Sequence, residues 1–151
     1  MVEVTRMDRL VEILIVEDNP ADVLLAREAL KLNDIPKRLN VVPDGVEAMA
    51  FLRREGPYVN APQPDFILLD LNLPEKNGLE VLSEIKTDEK LRSIPVAILT
   101  SSEMRDDVIR CYNLHANCYI IKPGDMEQFT RMIKCIKEFW FNVVKLPHIS
   151  P

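Results

Sequence analysis

The chain of 151 residues has few cysteines and no long apolar run, and both shortages exclude classes of protein. Its three cysteines are odd in number and lack a Cys-x-x-Cys spacing, so we predict neither a disulfide framework nor a zinc site. No stretch approaches the roughly 18 apolar residues that a transmembrane helix needs. The first residues include Glu3 and Asp8 and lack the apolar segment of a signal peptide. We therefore expect a soluble cytoplasmic protein without a membrane partner.

Basic residues are fewer than acidic ones. The chain has 24 acidic residues against 19 basic ones, which gives a formal net charge of −5 at pH 7. The basic residues form no long run that could follow a phosphate backbone, so the sequence predicts no nucleic-acid partner. A chain of this length is sufficient to bury the core of one domain.

Short apolar runs alternate with helical patterns along the chain, as they do in βα units that build a parallel sheet. Because the runs are almost entirely apolar, we expect the strands to be buried on both faces. The five predicted strands span about 12–16, 39–42, 65–69, 96–99 and 117–121. The five predicted helices begin near residues 20, 46, 78, 103 and 126, and the last runs to about residue 144. The sequence thus predicts an α/β fold.

Polar residues follow or close four of the predicted strands. Glu17 and Asp18 come after the first strand, and Asp70 comes after the third. Thr100 comes after the fourth strand and Lys122 comes after the fifth. Because the carboxyl ends of parallel strands meet at one edge of the sheet, where open α/β sheets bind ligands, we predict that these residues form one site.

The chemistry of these groups suits phosphoryl transfer. Mg²⁺ binds one or two protein carboxylates, keeps several waters and completes its shell with phosphate oxygens, and Glu17, Asp18 and Asp70 offer such carboxylates. A bound cation would leave Asp70 able to act as a nucleophile that carries an acyl phosphate. The Lys122 ammonium and the Thr100 hydroxyl would then face the phosphoryl oxygens.

Each of these pieces also has a simpler structural explanation. Capping of the first helix could by itself explain residues 17–20, and Asp70 could start a turn. Thr100 could cap the fourth helix, and Lys122 could be a solvated lysine at a strand end. Their occurrence together, in order and always at strand ends, favours the phosphoryl site.

The set Glu17-Asp18, Asp70, Thr100 and Lys122-Pro123 resembles the receiver domain of two-component response regulators. The resemblance covers residues 12–143, and it leaves 1–11 as an N-terminal extension and 144–151 as a C-terminal tail. It implies a single doubly wound, flavodoxin-like sheet of five parallel strands in the order 2-1-3-4-5, with five helices. It also implies that the Lys122–Pro123 peptide bond is often cis.

The resemblance further implies a role for each site residue. Asp70 would be the phospho-acceptor, with Thr100 and Lys122 contacting the phosphoryl group. Thr100 would also form a switch with the aromatic residue Tyr119. The implied ligands of Mg²⁺ or Mn²⁺ are Asp18, Asp70 and the backbone carbonyl of Asn72, with Glu17 in support.

Several loop and tail segments are similar to those of cyanobacterial phytochrome response regulators. These segments are residues 16–22, 56–64, 70–74 and 139–141. The similarity implies that a sensor histidine kinase, such as a phytochrome, is the partner. The protein would then regulate by phosphorylation and would not be an enzyme beyond its self-directed phosphotransfer and autodephosphorylation.

The last predicted helix carries more apolar residues than one face needs. We expect the cluster of Phe139, Trp140, Phe141 and Val144 to be a partner surface, in a homodimer. The alternative is that the segment 139–146 folds back over the core of its own chain.

Two other functions compete with a regulatory domain. A Mg²⁺-dependent phosphohydrolase could also use an aspartyl nucleophile. Such enzymes typically have a second acidic residue two positions after the nucleophile, where this chain has Asn72. A flavodoxin-like cofactor binder would need a glycine-rich phosphate loop after the first strand, and the whole chain has only four glycines.

Overall fold

The computed structural model describes residues 10–34, 37–143 and 145–147, and these contain five strands and five α-helices. The strands are β1 (Val11–Val16), β2 (Lys37–Val42), β3 (Phe66–Leu69), β4 (Val96–Thr100) and β5 (Cys118–Ile121). The helices are α1 (Pro20–Leu32), α2 (Gly45–Arg53), α3 (Gly78–Thr87), α4 (Arg105–Asn113) and α5 (Met126–Ile136). A 3₁₀ turn covers Gly56–Tyr58. None of the described helices is long and apolar enough to cross a membrane.

The five strands form one parallel sheet in the order β2-β1-β3-β4-β5. Ile13 of β1 lies opposite Leu39 on one side and Phe66 on the other. Ile98 of β4 lies opposite Tyr119 of β5. The predicted doubly wound, flavodoxin-like fold is therefore confirmed. Its strand order reverses between β1 and β3, and open α/β sheets bind ligands at such a point.

Alternate side chains of the central strands face two hydrophobic clusters, one on each side of the sheet. Ile67 and Leu69 of β3 belong to a cluster with residues of α2 and α3, whereas Phe66 and Leu68 belong to a cluster with residues of α1 and α5. All residues of β3 and β4 are buried, which confirms the prediction of strands covered on both faces. The edge strand β5 is mostly half-buried.

The N-cap of α1 is not one of the two acidic residues that follow β1. Asn19 is the N-cap, and its Oδ1 accepts hydrogen bonds of 2.9 and 3.3 Å from two backbone N–H groups of the first turn. Pro20 occupies the first helical position, where no N–H is needed. Glu17 and Asp18 are therefore not the cap of this helix.

Two glycines allow the loop after β3 to pass close to the starts of α2 and α3. A Cβ atom on Gly78 would lie 2.2 Å from the backbone oxygen of Asp70. A Cβ atom on Gly45 would lie 1.9 Å from the backbone oxygen of Lys76. Because the obstructing atoms belong to the backbone, no side-chain movement could relieve either clash, and both positions require glycine.

The last helix differs from its prediction. It keeps α-helical geometry only to Ile136 and continues as a π-helical segment, Lys137–Val143. In that segment the neighbouring rings of Trp140 and Phe141 both pack on Phe66, with centroid distances of 5.3 and 5.6 Å. The fourth helix also starts later than predicted, at Arg105.

Candidate metal and phosphoryl site

The carboxyl ends of the central strands open into one pocket of about 790 Å³. The pocket is lined by Glu17, Asp18, Asn19, Pro20, Asp22, Asp70, Asn72, Ser101, Lys122 and Pro123. The structure thus brings together nearly all of the residues that the sequence placed in the site. Thr100 is fully buried at the end of β4, and the next residue, Ser101, lines the pocket.

Three carboxylates form the acidic part of the pocket. One oxygen from each of Glu17, Asp18 and Asp70 lies within 4.8 Å of the others, and only Asp18 is exposed. The backbone pairing of the strands holds this cluster, since Glu17 N donates to Val42 O at 3.0 Å and Asp70 N donates to Val16 O at 3.1 Å. Oxygen donors at this separation are suited to a hard divalent cation.

Burial has a strong effect on Glu17. It raises the pKa of this carboxyl to about 7, although hydrogen bonds from Lys122 and from the backbone N–H of Asn19 lower the pKa in part. The negative charge of Asp70 raises it further. A bound dication would reverse this effect because it stabilises the ionised carboxylate.

Lys122 balances the charge of the carboxylates. Its Nζ lies 2.7 Å from Glu17 Oε1 and 3.1 Å from Asp70 Oδ2, and its side chain is only 11% exposed. Burial lowers the pKa of Lys122, but the hydrogen bonds with Asp22 and Glu17 and the charge of Asp70 outweigh it and raise the pKa above its usual value. Lys122 therefore carries its positive charge beside Asp70 at neutral pH.

The sequence did not identify Asp22 as a site residue. Its Oδ2 lies 2.7 Å from Lys122 Nζ, as close as the nearest oxygen of Glu17. Asp22 stands in the first turn of α1, one helical turn after Asp18, and that spacing is the signal that could have placed it in the pocket. The Lys122–Pro123 peptide bond, for which the resemblance suggested the cis isomer, is trans.

Ser102 connects the two residues of the expected switch. Its backbone N–H donates to Thr100 Oγ1 at 3.5 Å, and its carbonyl accepts a hydrogen bond of 2.8 Å from the Tyr119 hydroxyl. Its own hydroxyl donates to Asp107 Oδ2 of α4 at 2.6 Å. Ser102 could not be selected from the sequence, because these contacts join β4, β5 and α4 only in the folded chain.

The tail residues have different environments. Trp140 and Phe141 are half-buried against the cluster that contains Phe66. Phe139 is 54% exposed and packs its edge on Trp140. Val144, the fourth residue of the expected interface, lies outside the described residues.

Comparison with protein families gives a match over most of the chain. The model of the response regulator receiver domain matches residues 13–134. The response regulator Rcp1 of Synechocystis sp. is 49% identical over 135 residues, which cover 89% of this chain and 92% of Rcp1. The probable methanogenesis regulatory protein FilR2 of Methanothrix harundinacea is 42% identical over 136 residues, which cover 89% of this chain and 86% of FilR2.

Solved structures agree with these sequence matches. The phosphorylated cyanobacterial phytochrome response regulator RcpA superposes with a TM-score of 0.89 at 49% identity, over 93% of this chain and all of RcpA. The Mn²⁺-bound form of Rcp1 superposes with a TM-score of 0.85 at 48% identity, over 91% of this chain and 99% of Rcp1. With the acidic pocket at the ends of β1 and β3, these matches show that the chain belongs to the response regulator receiver domain family and is a phospho-accepting regulatory protein.

Proposed function

We propose that Asp70 is the residue that accepts the phosphoryl group, from a phosphohistidine of a sensor kinase. The observation that carries this proposal is the 3.1 Å contact between Asp70 Oδ2 and Lys122 Nζ, beside the carboxylates of Glu17 and Asp18. Asp70 directly follows β3, which is buried on both faces, so its carboxylate is held in place while the pocket stays open to a donor.

The reaction is a displacement at phosphorus. A carboxylate oxygen of Asp70 forms the new P–O bond while the P–N bond of the phosphohistidine breaks, and the released imidazole takes up a proton. Lys122 places positive charge on the phosphoryl oxygens, and the Thr100 hydroxyl donates a hydrogen bond to one of them. Attack by water on phosphorus later restores the Asp70 carboxylate and releases inorganic phosphate.

The donor set fits a divalent cation. Of the three carboxylates within 4.8 Å of one another, Glu17 and Asp70 share the Lys122 ammonium with Asp22, so negative charge remains uncompensated in the pocket. Bound Mg²⁺ or Mn²⁺ neutralises this charge and that of the phosphoryl oxygens. The ligands are Asp18, Asp70 and the backbone carbonyl of Asn72, with Glu17 in support. The Mn²⁺-bound structure of the similar protein Rcp1 supports this assignment.

The proposed partner is a sensor histidine kinase of the phytochrome class, in the cytoplasm. Support comes from the 49% identity to RcpA, a cyanobacterial phytochrome response regulator. Residues 12–143 form the receiver domain in this proposal, residues 1–11 are an extension and residues 144–151 are a tail. A phosphohydrolase is less well supported, because the residue two positions after Asp70 is the amide Asn72 rather than an acid.

The output of phosphorylation is a changed partner surface. Thr100 moves toward the phosphoryl group and Tyr119 turns into the space that it leaves, which shifts the surface of α4, β5 and α5 between two states. The tail cluster of Phe139, Trp140, Phe141 and Val144 forms the interface of a homodimer. Its support is the exposure of Phe139 and the prevalence of closed two-fold assemblies among soluble proteins.

Mass spectrometry of the intact protein tests the acceptor. Wild type incubated with acetyl phosphate and Mg²⁺ should gain one phosphoryl group, and Asp70→Asn should gain none while keeping the native amide NMR spectrum. Asp106→Asn, which removes an exposed carboxylate from the first turn of α4, is the matched control and should be phosphorylated like wild type. Stoichiometric phosphorylation of Asp70→Asn would refute the assignment.

A further inference from the structure

We propose that Asp22 restrains Lys122 and thereby weakens the hold of the site on a phosphoryl group. This inference rests on the proposed role of Asp70 as the acceptor. The structural basis is that the ammonium of Lys122 contacts three carboxylates: Glu17 and Asp22 at 2.7 Å and Asp70 at 3.1 Å.

These contacts use the full donor capacity of Lys122. A lysine ammonium has three N–H groups, so each carboxylate takes one of them. The longest of the three contacts is the one to Asp70, the acceptor. A phosphoryl group on Asp70 can take over the N–H that Asp70 already uses, but any second hydrogen bond from Lys122 must come from Glu17 or Asp22.

Asp22 has little competition for the ammonium N–H that it receives from Lys122. Asp22 is not one of the three carboxylates whose oxygens lie within 4.8 Å of one another. A cation bound by that cluster would therefore not neutralise the negative charge of Asp22. Its backbone is fixed because its N–H donates to the cap residue Asn19 at 3.3 Å. The first turn of a helix also stabilises a negative side chain.

Asp22 is not needed to hold Lys122 in the pocket. Without it, Glu17 and Asp70 still contact the ammonium at 2.7 and 3.1 Å. The effect of removing the Asp22 charge is therefore to release one N–H of Lys122 toward the phosphoryl group and to remove a like charge from its surroundings. Asp22 is a positioning residue in this account, since it acts on the phosphoryl group only through Lys122.

Equilibrium binding of beryllofluoride, an acyl phosphate mimic, tests the proposal in the full chain with saturating Mg²⁺. Asp22→Asn and Asp22→Ala should lower the half-saturating beryllofluoride concentration about fivefold, the upper range for a partly exposed ion pair. Asp22→Glu should restore the wild-type value because it restores the carboxylate. The amide NMR spectrum of each variant reports whether the fold is kept.

Glu28→Gln is the matched control on the same helix. It removes one negative charge from α1, but Glu28 pairs with Lys31 at 3.6 Å rather than with Lys122. If Glu28→Gln strengthens binding as much as Asp22→Asn, net charge explains the effect and the proposal is wrong. Unchanged or weaker binding by Asp22→Asn also overturns it. If Asp70→Asn binds beryllofluoride as well as wild type, the proposed acceptor is at fault instead.

Discussion

The Tyr119 hydroxyl donates a 2.8 Å hydrogen bond to the backbone carbonyl of Ser102, two residues beyond Thr100. The Ser102 N–H in turn faces Thr100 Oγ1 at the long distance of 3.5 Å. A movement of Thr100 toward Asp70 would break the weaker contact first. The Ser102 carbonyl, which accepts the Tyr119 hydrogen bond, would then be free to shift. A movement of Thr100 would in this way reach Tyr119 through Ser102.

We expect Thr100→Ala to separate phosphorylation from the response at Tyr119. The variant should still accept a phosphoryl group on Asp70, at a rate lowered by about ten- to a hundredfold because a hydrogen bond to the charged phosphoryl oxygens is lost. NMR signals of the Tyr119 ring should shift on phosphorylation of wild type and stay in place in the variant. A wild-type shift in Thr100→Ala would contradict the mechanism.

Removal of the metal should stop phosphoryl transfer. Excess chelator is expected to abolish phosphorylation by acetyl phosphate, because the phosphoryl charge would then meet uncompensated carboxylates. Asp18→Ala should need a much higher Mg²⁺ concentration for half-maximal phosphorylation. Transfer at the full rate in chelator would disprove the role of the cation.

The two tail aromatics Phe139 and Phe141 should respond differently to the same substitution. Phe141→Asp would place a charge against Phe66 and should lower the free energy of unfolding by about 3 kcal/mol. Phe139→Asp should leave stability within about 0.5 kcal/mol, since the ring is 54% exposed, but weaken self-association. Urea unfolding and sedimentation equilibrium measure the two effects. A wild-type protein that stays monomeric at high concentration, with and without beryllofluoride, would leave no homodimer to explain.

The buried thiol of Cys111 should make the protein less stable at high pH. Burial raises its pKa from the usual 9.0 to about 11, and the charge of Asp107 contributes. Between these values the unfolded chain releases the proton and the folded chain keeps it, so stability is fully present below pH 9 and is lost as pH rises toward 11. The loss should reach about 2–3 kcal/mol. Urea unfolding should show that the free energy of unfolding of Cys111→Ala falls by about 2–3 kcal/mol less than that of wild type over the same pH range.

The strand pattern and the polar strand ends were enough to predict a parallel sheet and most of the pocket, whereas the strand order came from the family resemblance. Asp70 and Lys122 could be placed together because both follow apolar runs, and such runs encode both a buried strand and its end. Asp22 was not singled out despite its spacing from Asp18, because an acidic residue in a first helical turn is already explained by the helix dipole. The π-helical segment was also missed, since it depends on the contact of Trp140 and Phe141 with Phe66, a residue distant in sequence.

The backbone ladder that carries Glu17 and Asp70 has a consequence for how the protein can diversify. Their N–H groups continue the pairing of buried strands, so the backbone that carries these two carboxylates is part of the sheet. Thr100, Ser102 and Tyr119 are linked by one long hydrogen bond and one short one, and this side of the site can adjust. Mutations near Thr100, Ser102 and Tyr119 can therefore change the lifetime of the phosphorylated state and the choice of downstream partner, while the acceptor Asp70 stays unchanged.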